Sequence, residues 1–387
     1  MNPYLEDALE LAARGVGRVS PNPAVGAVIV KDGAVVGRGF HTWAGVKHAE
    51  TLALEEAGER AQGATLYLTL EPCSHQGRTP PCADAVIAAG IRKVVAAMKD
   101  PNPQVAGSGF AKLIEAGVEV EIDTACAARA ELLNEAFVHF MKTGRPLVTV
   151  KAALTLDGKI AAPEDGTPGF TPGWITSEDA RKHVQTLRHR SDAILTGIGT
   201  VMADDCLLTD RTGEERSRPL LRIVLDSLLR LTPESKMATS CRNDVLVITT
   251  SAASPERRKR LEEKGVRVEV LEGADGRADL RATVEWLARE RYLSLMIEAG
   301  SRVNWTALES AVADKIYFYY APKILGGTHS IPVAGGAGRR RRTDAIQFER
   351  VRLHSVTSSE FAVEAWLKKD GWPAKEMPSE KDVHGNH

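Results

Sequence analysis

Apolar and polar positions change their period several times along the chain, and each change predicts an element. From Pro3 to Gly15 the apolar residues recur at helical spacing and stop on a glycine, which predicts a helix. Two β-rich runs follow, Ala24 to Val30 and Ala34 to Phe40, joined by the hairpin signal Lys31-Asp32-Gly33. Helical spacing returns from His48 to about Gly58. Beyond it the pattern predicts a strand at Ala64 to Leu70, a helix at Cys82 to Ala89 closed by Gly90, and a strand at Arg92 to Ala97. A helix at Gly109 to Ala116, a strand at Val118 to Ile122 and a closing helix from about Ala127 to Phe140 complete the set. Strands alternating with helices predict a layered α/β sheet.

Gly144-Arg145-Pro146 has turn chemistry between that last helix and a new β-rich run, Leu147 to Ala153, so a domain boundary is expected there. Further strands are predicted at Ala193 to Thr196, Leu221 to Leu225, Val245 to Thr249, Arg267 to Leu271, Ser294 to Glu298 and Lys315 to Tyr320. Helices are predicted at Ser177 to Arg190, Ser254 to Lys264, Asp279 to Arg289 and Trp305 to Glu309. This is a second α/β domain. The expected division is 1–144, 145–371 and a tail, 372–387, whose Lys, Glu, Pro and His content predicts disorder.

A length of 387 residues suits two or three domains, and 43% hydrophobic with 26% charged residues suits a soluble globular protein. The formal charge of −1 gives no overall basic field for nucleic acid or an anionic membrane. Met1 to Glu10 lacks the basic-then-apolar order of a secretory leader, and no run reaches the roughly 18 apolar residues of a membrane span. A cytoplasmic location is therefore expected. The run Arg339 to Arg342 reads first as a solvated loop, with a phosphate or nucleic-acid contact as the minor alternative.

Five cysteines are too few and too scattered for a disulfide framework. Cys126, Cys206 and Cys241 read as small hydrophobes or surface thiols. Cys73 and Cys82 differ, because each follows a proline and His48-Ala49-Glu50 stands upstream. One imidazole and two thiolates balance a divalent zinc ion and leave its fourth position to water. Such a water becomes a nucleophile near neutral pH. Hydrolytic deamination also needs a proton carrier, and Glu50, two residues from His48, is placed for that role. A structural zinc would normally take four protein ligands, so the set His48, Cys73 and Cys82 with Glu50 points to catalysis.

The stretch Glu71-Pro-Cys-Ser-His-Gln-Gly-Arg-Thr-Pro-Pro-Cys82 separates its cysteines by eight residues, where the general deaminase signature has two. With Pro21-Asn22-Pro23, Gly39-Phe40-His41 and Asp100-Pro101-Asn102-Pro103, it resembles the riboflavin-pathway pyrimidine deaminases. The resemblance implies a cytidine-deaminase-like three-layer domain with one zinc ion per chain. It also implies a substrate pocket lined by Asn22, His41, His75, Arg78, Asp100 and Asn102, with Arg78 suited to a phosphate.

In the second half, Ala193-Ile-Leu-Thr-Gly197-Ile-Gly199-Thr200 and Glu298-Ala-Gly300-Ser301-Arg302 are strands running into glycine turns, where backbone N–H groups can cradle phosphate. No Gly-x-Gly-x-x-Gly supports a Rossmann site. With Lys151-Ala-Ala-Leu-Thr-Leu-Asp157-Gly158-Lys159 and Trp174-Ile-Thr176-Ser177, these turns resemble the reductase half of the same fused enzymes. That resemblance implies a dihydrofolate-reductase-like fold using NADPH. It assigns Ala153, Trp174, Thr200, Asp204, Ser227, Gly300, Ser301 and Arg302 to the cofactor, and Arg188, Leu208, Arg211 and Glu298 to a phosphorylated pyrimidine substrate. Two residues depart from the family pattern: Pro172, where a small polar residue is usual, and Cys206 after Asp204-Asp205, where proline is usual. One substrate contact is then expected to be absent or taken over by Thr171. The implied partner is a small molecule, with neither nucleic acid nor membrane, and the expected assembly is a homo-oligomer. Two alternatives stay open: a base-flipping tRNA deaminase, which should bring a basic groove, and a reductase half turned into a non-catalytic module.

Overall fold

The computed structural model describes residues 2–42, 47–74, 81–103, 105–163 and 173–368. They form two compact units: the first holds the residues up to Gly144 together with Glu215–Arg218, and the second the other described residues from Arg145 onward. Among the described residues no helix is long and apolar enough to cross a membrane.

The first unit runs α1 (Pro3–Ala13), β1 (Gly26–Lys31), β2 (Ala34–Phe40), α2 (Ala49–Ala57), β3 (Thr65–Leu68), α3 (Cys82–Ala88), β4 (Lys93–Ala96), α4 (Ser108–Glu115), β5 (Glu119–Ile122), α5 (Ala127–Leu133) and α6 (Glu135–Thr143). Its sheet has the order β2-β1-β3-β4-β5, antiparallel across β2-β1-β3 and parallel from β3 to β5. Asp32 and Gly33 both take positive φ, 50° and 79°, so the β1–β2 connection is a two-residue hairpin turn of the kind that matches strand twist. Side chains alternate along β1. Ala27 and Ile29 join Ala49, Ala53 and Ala57 of α2 in one core, while Val28 and Val30 join Ala8 and Leu11 of α1 in another. The sheet is thus covered on both faces.

Helix α2 lies unusually close to its strand. A Cβ on Gly37 would stand 2.2 Å from the Ala53 carbonyl oxygen, and one on Gly39 would stand 2.2 Å from that of Ala49. Only glycine permits this approach, and it fixes the height of the helix whose first turn carries Glu50. The predicted helix from Ala127 to Phe140 is two helices, broken at Asn134. The buried Asn134 amide accepts from the Ala24 N–H at 2.7 Å and donates to the Ala24 carbonyl at 2.9 Å. A residue spent on a distant strand entry leaves the helical period intact, so the pattern carries no sign of the break.

The second unit runs β6 (Leu147–Thr155), β7 (Lys159–Ala161), α7 (Glu178–His189), β8 (Ala193–Gly197), α8 (Ile198–Asp204), β9 (Leu221–Leu225), α9 (Lys236–Thr239), β10 (Val245–Thr249) and α10 (Pro255–Glu262). It continues with β11 (Arg267–Val270), α11 (Leu280–Arg289), β12 (Ser294–Ile297), α12 (Ser301–Glu309), β13 (Lys315–Ala321), β14 (Ile331–Pro332), β15 (Phe348–Ser355) and β16 (Phe361–Leu367). The main sheet has the order β11-β10-β9-β8-β12-β6-β13-β16-β15, parallel as far as β13 and antiparallel beyond it. Strands β8 and β10 are buried at every position, as expected for parallel strands under helices on both sides. Arg145 and Asp314 form a buried ion pair at the start of the β6–β13 pairing, where Asp314 also accepts from the Val148 N–H at 2.8 Å.

Four strands and two short helices, β7, α8, α9 and β14 to β16, were not among the elements the pattern predicts. Strand β15 is a largely exposed edge carrying Glu349, Arg350 and Arg352, which is how natural sheets protect an edge and also how a strand loses its apolar signature. Helix α12 begins at Ser301, four residues before the pattern predicted, directly after Gly300.

The glycine floor under α2 gives a direct test. Gly39→Ala is expected to destabilise the first unit by about 1–3 kcal/mol, the usual cost of overpacking. A lowered Tm together with loss of metal in elemental analysis would show both effects; an unchanged Tm would mean that α2 can lift off β2 freely.

Candidate functional site

In the first unit, His48 occupies the N-cap of α2, Cys73 follows β3, and Cys82 is the first residue of α3. Two helix starts and a strand exit therefore meet. The ligand atoms of the three residues lie within 4.8 Å of one another. His48 Nδ1 stands 3.1 Å from Cys82 Sγ and 3.7 Å from Cys73 Sγ. Tetrahedral zinc with usual bond lengths would separate such a nitrogen and sulfur by about 3.5 Å, so the donor set fits the ion in both chemistry and spacing. The Cys82 N–H donates to Cys73 Sγ at 3.2 Å. Hydrogen bonding from Cys82 draws the Cys73 thiol well below its ordinary range, and the Cys82 thiol is pushed up by the same partner and by burial. One proton leaves this pair easily and the second does not, because Cys82 keeps it in a hydrogen bond to Cys73 away from water; a divalent cation would take that proton's place.

Glu50 lies in the first turn of α2 and is 4% exposed. Burial pushes its carboxyl up to about 7. His41 stacks edge-on against His48 at 5.2 Å between ring centroids. Its Nδ1 lies 2.9 Å from the Lys47 carbonyl, which can only accept, so Nδ1 carries the proton. Nε2 then accepts from the Asn22 amide at 3.2 Å. Burial lowers the His41 pKa, which keeps that neutral form. Asn22 and His41 are thus linked beside His48.

Glu71 opens the cysteine stretch, where residue type alone gives it no role. It is 5% exposed, and its carboxylate accepts from four backbone N–H groups: Asp100 at 3.1 Å, Gly107 at 2.9 Å, Gly109 at 2.9 Å and Phe110 at 3.3 Å. It closes the open start of α4 and pins the segment carrying Asp100 and Asn102 against the strand exit of Cys73. The fit leaves no slack, since a Cβ on Gly109 would stand 2.0 Å from the Pro72 carbonyl oxygen. His75 and Arg78 lie outside the described residues.

In the second unit, adjacent parallel strands β8 and β12 both end in glycine turns that open a helix, α8 after Gly197 and α12 after Gly300. Neither helix start has a side-chain cap, so the first N–H groups of both are open at the carboxyl ends of the strands. A Cβ on Gly300 would meet Thr200 Oγ1 at 3.6 Å, which measures how near the two turns are. The buried Ser301 Oγ and Thr196 Oγ1 find no hydrogen-bond partner among the described residues. Two bare helix starts with orphaned hydroxyls suit the diphosphate of a dinucleotide. Ser227 follows β9 at the same end of the sheet, where its Oγ accepts from the Ala278 N–H at 3.0 Å. Trp174 is 71% exposed, with the Arg181 guanidinium 4.7 Å above its ring. Ala153 lies in β6, Asp204 ends α8, and Arg302 is exposed in the first turn of α12. Thr171 and Pro172 lie outside the described residues.

Beside this crevice is a polar cluster. Glu298, just past β12, accepts from Arg188 Nε at 2.8 Å, Arg188 Nη2 at 3.1 Å and Lys151 Nζ at 3.2 Å. Burial alone would raise its carboxyl, but the charges of Lys151 and Arg188 outweigh that and hold it down at about 2. Arg188 also donates from Nη1 to the Thr209 carbonyl at 2.9 Å, so its guanidinium is engaged on protein groups. Lys151 Nζ lies 5.7 Å from the Tyr319 ring centroid, and the Tyr319 hydroxyl is 2.7 Å from His183 Nδ1. Leu208 is buried with φ of 52°, and Arg211 is exposed. Cys206 is half-buried, and burial pushes its thiol up to about 11. Lys151 had no assigned role in the sequence. Its available signal was a single lysine inside the apolar run Leu147 to Ala153.

The depressed Glu298 pKa fixes the sign of a pH effect. Its usual value of 4.5 falls to about 2 in the fold, so its stabilisation is present above about 4.5 and is lost as pH falls toward 2. Glu298→Gln should lower the Tm at pH 7, with the gap to the parent narrowing as pH is taken below about 4.5. A gap that does not change with pH would mean that the ion cluster contributes nothing.

Comparison with known proteins follows the division into two units. Residues 2–98 match the cytidine and deoxycytidylate deaminase zinc-binding region, and residues 146–362 match the RibD C-terminal domain. The riboflavin biosynthesis protein RibD of Aquifex aeolicus is 40% identical over 353 residues, 91% of this chain and 95% of that protein. Its counterpart in Escherichia coli is 41% identical over 368 residues, 91% of this chain and 96% of that one. Among solved structures, form 1 of Acinetobacter baumannii RibD is similar with a TM-score of 0.83 and 36% identity, covering 95% of this chain and 98% of that one. A deaminase/reductase from Thermotoga maritima is similar with a TM-score of 0.79 and 34% identity over the same shares.

Proposed function

The chain belongs to the family of the riboflavin biosynthesis protein RibD, and from that premise we propose that its two sites act in succession on one phosphorylated pyrimidine. It is a bifunctional enzyme of riboflavin biosynthesis, a zinc-dependent deaminase and an NADPH-dependent reductase. The proposed substrate of the first unit is 2,5-diamino-6-(5-phosphoribosylamino)pyrimidin-4-one, whose ring amine is exchanged for oxygen with release of ammonia. The second unit then reduces the ribose of that product to a ribityl chain.

The observation that carries the first step is the meeting of His48, Cys73 and Cys82 beside a buried carboxylate. When bound there, zinc supplies a Lewis acid that makes water nucleophilic near neutral pH. Glu50 would take one proton from the attacking water and pass it to the ring nitrogen, then pass the second, from the added hydroxyl, to the departing amine, so that ammonia leaves and a carbonyl remains. Asn22 and His41 hold the pyrimidine through their hydrogen-bonded edge, and Asp100 and Asn102 close the pocket from the segment that Glu71 pins. His75 and Arg78 complete the proposed substrate set, with Arg78 assigned to the phosphate by its residue type.

In the second unit the bound NADPH supplies a hydride. The open N–H groups after Gly197 and Gly300, with Thr200, Ser301 and Arg302, hold its phosphates, and Ala153, Trp174, Asp204 and Ser227 place the rest. Glu298, fixed by Arg188, orients the substrate together with Leu208 and Arg211, so catalysis is a matter of placing two reactants in line. Lys151 joins this set, since its ammonium stands on Glu298 at the centre of the cluster.

A cytoplasmic setting agrees with five free cysteines, two of which must stay reduced to hold metal. A homo-oligomer is favoured not by the charged, protected edge of β15 but by its exposed apolar side chains, Val351 and Leu353, which are 59% and 74% exposed. Light scattering of the purified protein should return a mass of at least two chains; a single-chain mass would remove that assignment.

The two activities should separate cleanly. Chelation is expected to stop ammonia release while leaving NADPH oxidation with the already deaminated substrate intact. Glu50→Gln should keep its zinc yet deaminate about a thousandfold more slowly, the scale of a lost general base. Normal ammonia release from that variant would end the proton-carrier assignment.

A further inference from the structure

The segment between α8 and β9 carries Leu208 and Arg211, and something must hold it in shape. Leu208 takes a φ of 52° without being glycine, a conformation that persists only where neighbours enforce it. The enforcement comes from the last turn of α7. Gln185, Arg188 and His189 lie on one face of that helix, spaced by three and four residues. Each grips a different loop residue. Gln185 Oε1 accepts from the Arg211 N–H at 3.0 Å, Arg188 Nη1 donates to the Thr209 carbonyl at 2.9 Å, and His189 Nδ1 meets Asp210 Oδ2 at 2.9 Å. The second oxygen of Asp210 accepts from the Thr212 N–H at 3.0 Å and from its hydroxyl at 2.8 Å. Asp210 is therefore the hub of the loop, and His189 ties it to the helix. The His189 and Asp210 side chains are only 10% and 8% exposed, so water competes poorly for the pair.

Arg188 cannot serve this loop as a free cation, since its guanidinium already holds Glu298 and Thr209. That leaves Arg211, gripped through its backbone and exposed through its side chain, to meet a substrate phosphate. We propose that His189, acting through Asp210, is a positioning residue that sets where the Arg211 guanidinium stands and so makes the reductase site selective for a phosphorylated substrate. This rests on the assignment of Arg211 to the substrate made above.

The test compares reduction of the deaminated substrate with reduction of its dephosphorylated counterpart, in the full-length zinc-loaded protein. His189→Gln and Asp210→Asn should each raise KM for the phosphorylated substrate about tenfold, the value of one lost charge-assisted hydrogen bond. They should leave kcat, the KM for NADPH and the KM for the dephosphorylated compound unchanged. Gln185→Ala, which removes one acceptor at the helix surface, should give a smaller shift of about threefold in the same direction. An equal change in KM for both compounds, or no change at all, would overturn the positioning role. Arg211→Ala separates the two claims. If it abolishes discrimination between the compounds while His189→Gln does not, only the positioning role falls. If it leaves discrimination intact, the assignment of Arg211 falls first and His189 with it.

Discussion

A helix begins with backbone N–H groups that have no partner inside it, and both functional units are organised by how that deficit is met. At α3 the Cys82 N–H turns to the Cys73 sulfur, which favours charge on that sulfur. At α4 the deficit is met by the Glu71 carboxylate, which ties two N–H groups of the helix start to two more from the preceding segment. At α8 and α12 it is left open, side by side, at the ends of neighbouring strands. The same local physics thus yields a hydrogen-bonded thiol, a structural clamp and a pair of uncapped helix starts, depending on what the sequence places opposite.

Much of this was legible in the sequence because it depends on residue types in a fixed order. His48 and Cys82 each start a helix, and the amphipathic spacing that predicts those helices also predicts where the two side chains emerge. The glycines after β8 and β12 were likewise visible as strand exits. What could not be read depends on distant partners. Glu364 lies in the middle of β16, buried against Lys315 at 2.7 Å and His354 at 2.9 Å, and a charged residue in an apolar run lowers the strand signal unless its partners are known. Lys151 resembles any strand lysine until Glu298 and Tyr319 are placed beside it. Boundaries such as the break at Asn134 and the early start of α12 fail for the same reason, since both are set by contacts from elsewhere in the fold.

The two sites treat charge in opposite ways. In the first unit, burial works against ionisation of Glu50 and suits it to passing protons. In the second, the two cations beside Glu298 keep it ionised at any ordinary pH, which suits a fixed electrostatic frame and not an acid or base. That contrast agrees with the chemistry assigned to each. Hydrolysis moves protons, whereas hydride transfer asks the protein mainly to hold two molecules still.

The tie between Asn134 and Ala24 has a consequence for how the chain is made. It joins residues 110 positions apart, so the entry to β1 cannot be fastened until nearly all of the first unit has left the ribosome. Closing so long a loop costs entropy that local helices cannot repay early. The first unit should therefore remain open through most of its synthesis, with its thiols reachable, and shut only as the chain begins to supply β6. Metal capture would then be a late event in the life of a nascent chain, governed by the last two helices of the unit and not by the segment that holds the ligands.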